Sequence, residues 1–172
     1  MDGRSLTILA VLAGFVGSAV WLSSEVDQFA ADEAGAVAAA LVAGLGEFID
    51  ESELKSPPAD LVGDLSLCVD AKTEIDLAAV DRDLAGTLIR VIPAKRCTSK
   101  TVEGDFGMFT ALTTWYDEKG EEAGHLEIEA VQCQSMRRCI VDIDSRGAGM
   151  RYEVERVGDG WSVTTRRMRW VV

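Results

Sequence analysis

Period-two alternation in the closing stretch, Cys139 to Val172, is the feature that most constrains the fold. Met150, Tyr152 and Val154 alternate with Arg151, Glu153 and Glu155, as in a strand with one buried face. Gly158-Asp159-Gly160 follows, and Trp161 then opens another alternating run. Glycine supplies the positive φ that tight hairpin turns require. Ser145-Arg146-Gly147-Ala148-Gly149 reads as the preceding turn. Three strands joined by two glycine turns are therefore expected.

The last of these strands does not keep one phase. Trp161, Val163 and Thr165 fall on one face, while Met168, Trp170 and Val172 fall on the other. A β-bulge near Arg166-Arg167 would re-aim the strand; otherwise its two halves meet different surroundings. Arg166, Arg167, Arg169 and Trp170 are the candidate contact with a partner.

Upstream, Leu65, Leu67 and Val69 alternate with polar residues and predict a short strand. Thr73 to Asp76 resembles a capping box, and Leu77, Val80 and Leu84 share one helical face. A helix is expected at 74–85, with Gly86 at its C-terminal end. Leu88 to Ala94 reads as a strand, and Pro93, which cannot donate to a ladder, confines it to an edge or stands at its end. Met108 to Tyr116 carries no charge on either face and is expected to be a central strand covered on both sides. Leu126, Ile128 and Ala130 alternate with His125, Glu127 and Glu129, so one face is wet. Trp115, Tyr116 and Tyr152 are the candidate lining of a small-ligand pocket in a concave sheet.

Residues 26–50 predict a helix with Ala30, Ala34, Val37, Leu41, Leu45 and Phe48 on one stripe. Glu51 to Pro58 reads as a linker, since Pro57-Pro58 stop a helix. Before it, Leu6 to Leu22 is an apolar run without a charge, at the lower limit for spanning a bilayer. Arg4 precedes it and acidic residues follow, which orients the rest of the chain outward. Trp21 suits an interfacial position in a retained anchor, the preferred reading. Cleavage after a signal peptide, near Gly17-Ser18-Ala19, is the alternative and would make the protein secreted. The expected division is 1–24 anchor or signal segment, 25–58 helix and linker, and 59–172 an α+β extracytoplasmic domain.

Cys68, Cys97, Cys133 and Cys139 contain no C-x-x-C, and the chain has one histidine. Zinc sites show closer ligand pairs, so two disulfides are expected, 68–97 with 133–139, in an oxidising compartment. The register between the strands around Cys133 and Cys139 has two solutions. If the cysteines face each other, Glu129 lies opposite Ile143. A slip by one places Ile128 opposite Ile143, Glu129 opposite Asp142 and Glu127 opposite Asp144. That ladder of carboxylates needs arginine or a cation such as calcium beside it; arginine relief, with Arg151 beside Asp144, is the reading preferred.

The net charge of −12 excludes a nucleic-acid surface as the default. Residues 134–172 nevertheless carry 8 Lys/Arg against 5 Asp/Glu, while 1–133 carry 9 against 24. Packing of the basic end on the chain's own acids is the plain explanation, and an acidic partner is the sharper one. No nucleophile, phosphate-loop, metal or cofactor motif is present.

The pattern of helices first and strands afterwards predicts α+β, with helices on a curved antiparallel meander. Tyr152, Val154, Trp161 and Val163, spaced around the glycine turn, resemble the closing hairpins of NTF2-like and cystatin-like modules. The resemblance implies a fold analogy and carries no functional residues. The expected function is that of a non-catalytic, membrane-anchored accessory or interaction subunit of an envelope complex. Its partners would be the membrane, through residues 6–22, and other membrane-complex proteins. A small-ligand module is the alternative.

Overall fold

The computed structural model describes residues 33–106 and 109–171. The segment 1–24, expected to be an anchor or signal, lies outside the described residues, as do Ala30, Met108 and Val172. Among the described residues no helix is long and apolar enough to cross a membrane.

The fold is α+β, with a core of eight strands and a few helices. Helix α1 occupies residues 33–45 and α2 Glu51–Lys55. Strand β1 (Leu65–Ala71), α3 (Leu77–Asp83) and β2 (Ile89–Pro93) follow. A 3-10 turn, Ala94–Arg96, leads into the ribbon β3 (Thr98–Phe106) and β4 (Phe109–Tyr116). The remaining strands are β5 (Glu122–Ser135), β6 (Arg138–Ser145), β7 (Ala148–Val157) and β8 (Gly160–Val171). They lie in the order β2-β1-β5-β6-β7-β8, with β4 also joining the start of β5.

Strands β5 to β8 form the expected antiparallel run. The sheet as a whole is mixed, because β1 pairs in parallel with both β2 and β5. This corrects the all-antiparallel expectation. Apolar periodicity gives a strand's faces and not its direction, and α3 carries the chain back so that β2 runs alongside β1. The cap of α3 is Asp76 rather than Thr73: its carboxylate accepts from the Ala78 amide at 2.9 Å. Gly86, at φ 86°, then turns the chain towards β2.

One face of the sheet is covered by helix. Ala34, Val37 and Leu41 of α1 are fully buried with Leu67, Val69, Ile128, Val141, Tyr152 and Val154. The helix approaches β7 and β8 closely. A Cβ on Gly35 would lie 2.7 Å from the Trp161 ring, and one on Gly44 would lie 2.7 Å from the Tyr152 hydroxyl. Phe48 lies beyond the helix end and is exposed, so the apolar stripe stops short of it. The break at 51–58 contains α2, whose Leu54 is fully buried and whose Leu54 carbonyl accepts from Leu88 N at 2.8 Å. The boundary expected at 58/59 therefore does not separate two cores: residues 33–55 complete the core of the domain that follows.

Strand β4 is not central. It pairs along its length with β3 and meets β5 only at Trp115–Ala123 and Tyr116–Glu122. Val102 and Leu112 of the ribbon are 48% and 38% exposed. Uncharged faces here are threonine faces, with Thr101 and Thr113 hydroxyls bonded at 2.9 Å, so lack of charge did not mean burial.

Cys68 is bonded to Cys97 and Cys133 to Cys139. Two disulfides point to an oxidising, extracytoplasmic or secreted environment. Between β5 and β6 the structure uses both registers. Cys133 faces Cys139 and Val131 faces Val141, but beyond a bulge Ile128 faces Ile143 and Glu127 faces Asp144. Glu129 is the extra residue, and the bulge keeps Ile128 as well as Val131 turned towards the core.

Candidate functional site

The sheet's other face carries the charges. Glu127, Glu129, Asp142 and Asp144 come together here, and cations of the chain itself neutralise them. Lys72 pairs with Glu127 and with Glu129, the latter at 3.0 Å. The bonds to Glu127 and then Glu129 raise the Lys72 pKa, so the ammonium stays charged. Arg151 grips the buried Asp142 with two bonds, Nε to Oδ1 at 2.8 Å and a terminal nitrogen to Oδ2 at 2.7 Å. Arg151 thus relieves Asp142, and Arg169 holds Asp144 Oδ1 at 2.8 Å. A bidentate guanidinium satisfies a carboxylate without a metal.

Strand β8 delivers Arg169 and Trp170 to this face through two bulges, at Thr164 and at Arg169. The change of phase comes at Thr164, two residues before the expected position: Val163 opposes Val154, but Thr165 opposes Glu153. Of the candidate partner residues, Arg166 is bonded to Glu47 at 2.9 Å and Arg167 lies 3.8 Å from Glu153. Trp170 opposes Gly149, where a Cβ would collide with the indole, and donates its N–H to Asp144 Oδ2 at 3.2 Å.

Trp170 forms one side of an open groove of about 780 Å³. Trp115 lines it too, together with Glu127, Asp144, Ser145 and Arg146. The register sets Trp115 beside Ala123, two residues from His125 on the same face. The Trp115 and His125 rings stack at 4.1 Å between centroids, 7° from parallel. Burial lowers the His125 pKa, while Asp70 and Glu127 pull it back up. The imidazole is thereby favoured in its neutral form, suited to stacking on an indole.

The three expected pocket residues are not brought together. Tyr152 is buried under α1, where burial, and secondarily Glu47, raises the phenol pKa. Trp115 lies across the sheet from it, and Tyr116 pairs with Glu122 at the ribbon's base. The structure instead joins Trp115 to Trp170 and His125. The sequence held little sign of this, since the bulges that re-aim β8 leave no mark in its alternation beyond the change of phase.

A second groove, about 950 Å³, runs between α1 and the start of β8 and includes Ala38, Val42, Trp161 and Arg166. The turn between β4 and β5 is tied down separately. Asp117 accepts from Arg90 at 2.6 Å, from the Lys119 and Glu121 amides and from Ser66. Burial would raise its pKa, but these bonds hold it below the usual carboxylate range.

Compared with protein-family models, curated proteins and solved structures, the chain matches none. The likeness of its closing hairpin to NTF2-like and cystatin-like modules rests on Tyr152 to Val163 alone.

Proposed function

We propose that this chain is a non-catalytic extracytoplasmic domain, anchored at the cytoplasmic membrane through residues 6–22, that acts as an accessory or interaction subunit of an envelope membrane complex. The observation that carries the interaction reading is the outer end of β8. Met168 and Val171 are 61% and 65% exposed on the last strand of the sheet order. Exposed apolar groups on an edge strand are costly to leave in water and mark contact sites. The two disulfides and the charge-free run after Arg4 support the placement. The pocket expected in the concave sheet is not favoured, because Tyr152 is buried under α1 while Trp115 stacks on His125 at the other face.

The test is a pull-down of the full chain in mild detergent, compared with a Met168→Asp/Val171→Asp variant and with a chain starting at Glu33. Starting there keeps α1, which the core requires. Partners lost only from the double variant place the contact on β8; partners lost only from the shortened chain place it in residues 1–32. A chain that fractionates as soluble, or that captures no partner in any form, would overturn the proposal.

A further inference from the structure

The groove on the outer face combines two indoles with a set of hydrogen-bonding groups, and both indoles are held in place before any ligand arrives. His125 supports one face of Trp115. Trp170 is fixed by its bond to Asp144 and lies across Gly149, whose lack of a side chain makes room for it. Rings positioned in advance lose little freedom on binding. Trp170 is 38% exposed, which leaves part of its surface available.

The charges around the groove select the ligand class. A cation would seek Glu127 and Asp144, but Lys72 and Arg169 already occupy them. Binding an ammonium would mean displacing an internal partner. An anion would meet Glu122, Glu127 and Asp144, with Arg146 as the opposing charge in the lining. A neutral ligand meets neither obstacle. Each carboxylate oxygen has two acceptor sites, so Glu127 and Asp144 keep capacity after their ion pairs form. Ser145 and Thr114 add hydroxyls. What fits is a neutral molecule with a flat C–H face for an indole and hydroxyl groups that donate to carboxylates. The volume lies in the range of small-molecule sites, about 300–1,000 Å³, and the groove is open at its surface, as suits a chain lying along it.

We infer that this groove is a binding site for a neutral saccharide, with pyranose rings stacked on Trp170 and Trp115 and their hydroxyls donating to Asp144 and Glu127. Trp170 shares β8 with Met168 and Val171 but faces the other way, opposing Gly149 where they oppose Met150 and Ala148, so saccharide binding reads the groove whereas the pull-down reads protein partners.

The test is a titration of the full chain in mild detergent with neutral cello-, malto- and chito-oligosaccharides, and in parallel with choline. The readout is the indole N–H resonances of the 15N-labelled protein. At least one oligosaccharide should shift the Trp115 and Trp170 signals and leave Trp161, on the helix face, unmoved. Trp170→Ala should weaken binding by about tenfold or more, as for a central aromatic anchor, and Trp170→Phe should restore most of it. The wild-type shifts answer the question even where the alanine variant folds poorly. No shift up to about 10 mM saccharide, shifts confined to Trp161, or shifts with choline alone would overturn the inference.

Discussion

The two disulfides should differ in what they contribute, and the difference follows from the chain they enclose. Cys68–Cys97 spans a sequence separation of 29 and closes β1, α3, β2 and the 3-10 turn into one loop. Cys133–Cys139 spans 6 and joins residues already opposed across the β5–β6 hairpin. In the chain-entropy treatment the first constrains the unfolded state by about 3.6 kcal/mol and the second by about 2.2 kcal/mol. Cys68 and Cys139 are both fully buried, so replacing each pair by alanine leaves similar voids, and the comparison isolates loop closure. The Cys68→Ala/Cys97→Ala variant should therefore be less stable than Cys133→Ala/Cys139→Ala by about 1.4 kcal/mol, about tenfold in the unfolding equilibrium. Urea unfolding of both variants and the parent, with denaturant slopes compared, measures this directly. If losing the short bridge costs as much as losing the long one, the reasoning fails. The hairpin staple would then hold native packing rather than merely shorten the unfolded chain.

Two further outcomes follow from named side chains. Leu41→Ala, at a fully buried position of α1, should destabilise the whole domain by about 2–5 kcal/mol; a single unfolding transition at lower urea checks this, and loss of helical signal ahead of sheet signal would show that α1 is a separate body. Because His125 has a lowered pKa in the fold, the unfolded chain binds its proton more readily, so stability from this group is present above about pH 6.5 and declines as pH falls below it. Unfolding midpoints should drop more steeply over that window in the parent than in His125→Gln, and equal slopes would contradict the assignment.

Much of the fold was legible where a local rule and burial agree. The β6–β7–β8 turns rest on Gly147 and Gly158, both at positive φ, and the strands between them show clean alternation. Pro93 requires an edge strand or a strand end, and β2 meets both: it ends at Pro93 and lies at the end of the sheet order. What escaped was of three kinds. Strand direction is decided by how α3 returns the chain, and no pattern within β1 or β2 encodes it. Burial of β4 was inferred from missing charge, yet threonine pairs serve equally well on a ribbon with exposed sides. The groove was hidden for a third reason. Trp115 and Trp170 are far apart in sequence, and their meeting depends on the bulge at Arg169, which turns Trp170 to the outer face.

The uneven charge of the chain has an internal explanation in this arrangement. The basic end, which could have served an acidic partner, is largely engaged by the protein itself: Arg166 with Glu47, Arg167 with Glu153, Arg169 with Asp142 and Asp144, and Arg151 with Asp142. Strand β8 thus closes the sheet electrostatically as well as by pairing. Arg169 ties it to Asp142 and Asp144 of β6, Arg167 to Glu153 of β7, and Arg166 to Glu47 beyond the end of α1. A surface whose charges are already matched offers little long-range attraction to an acidic partner. What is left open is apolar or neutral: the indoles of the groove on the outer face, and Met168 and Val171 on the opposite face of β8. Recognition by this domain is therefore expected to rest on apolar burial and stacking, and to change little with ionic strength.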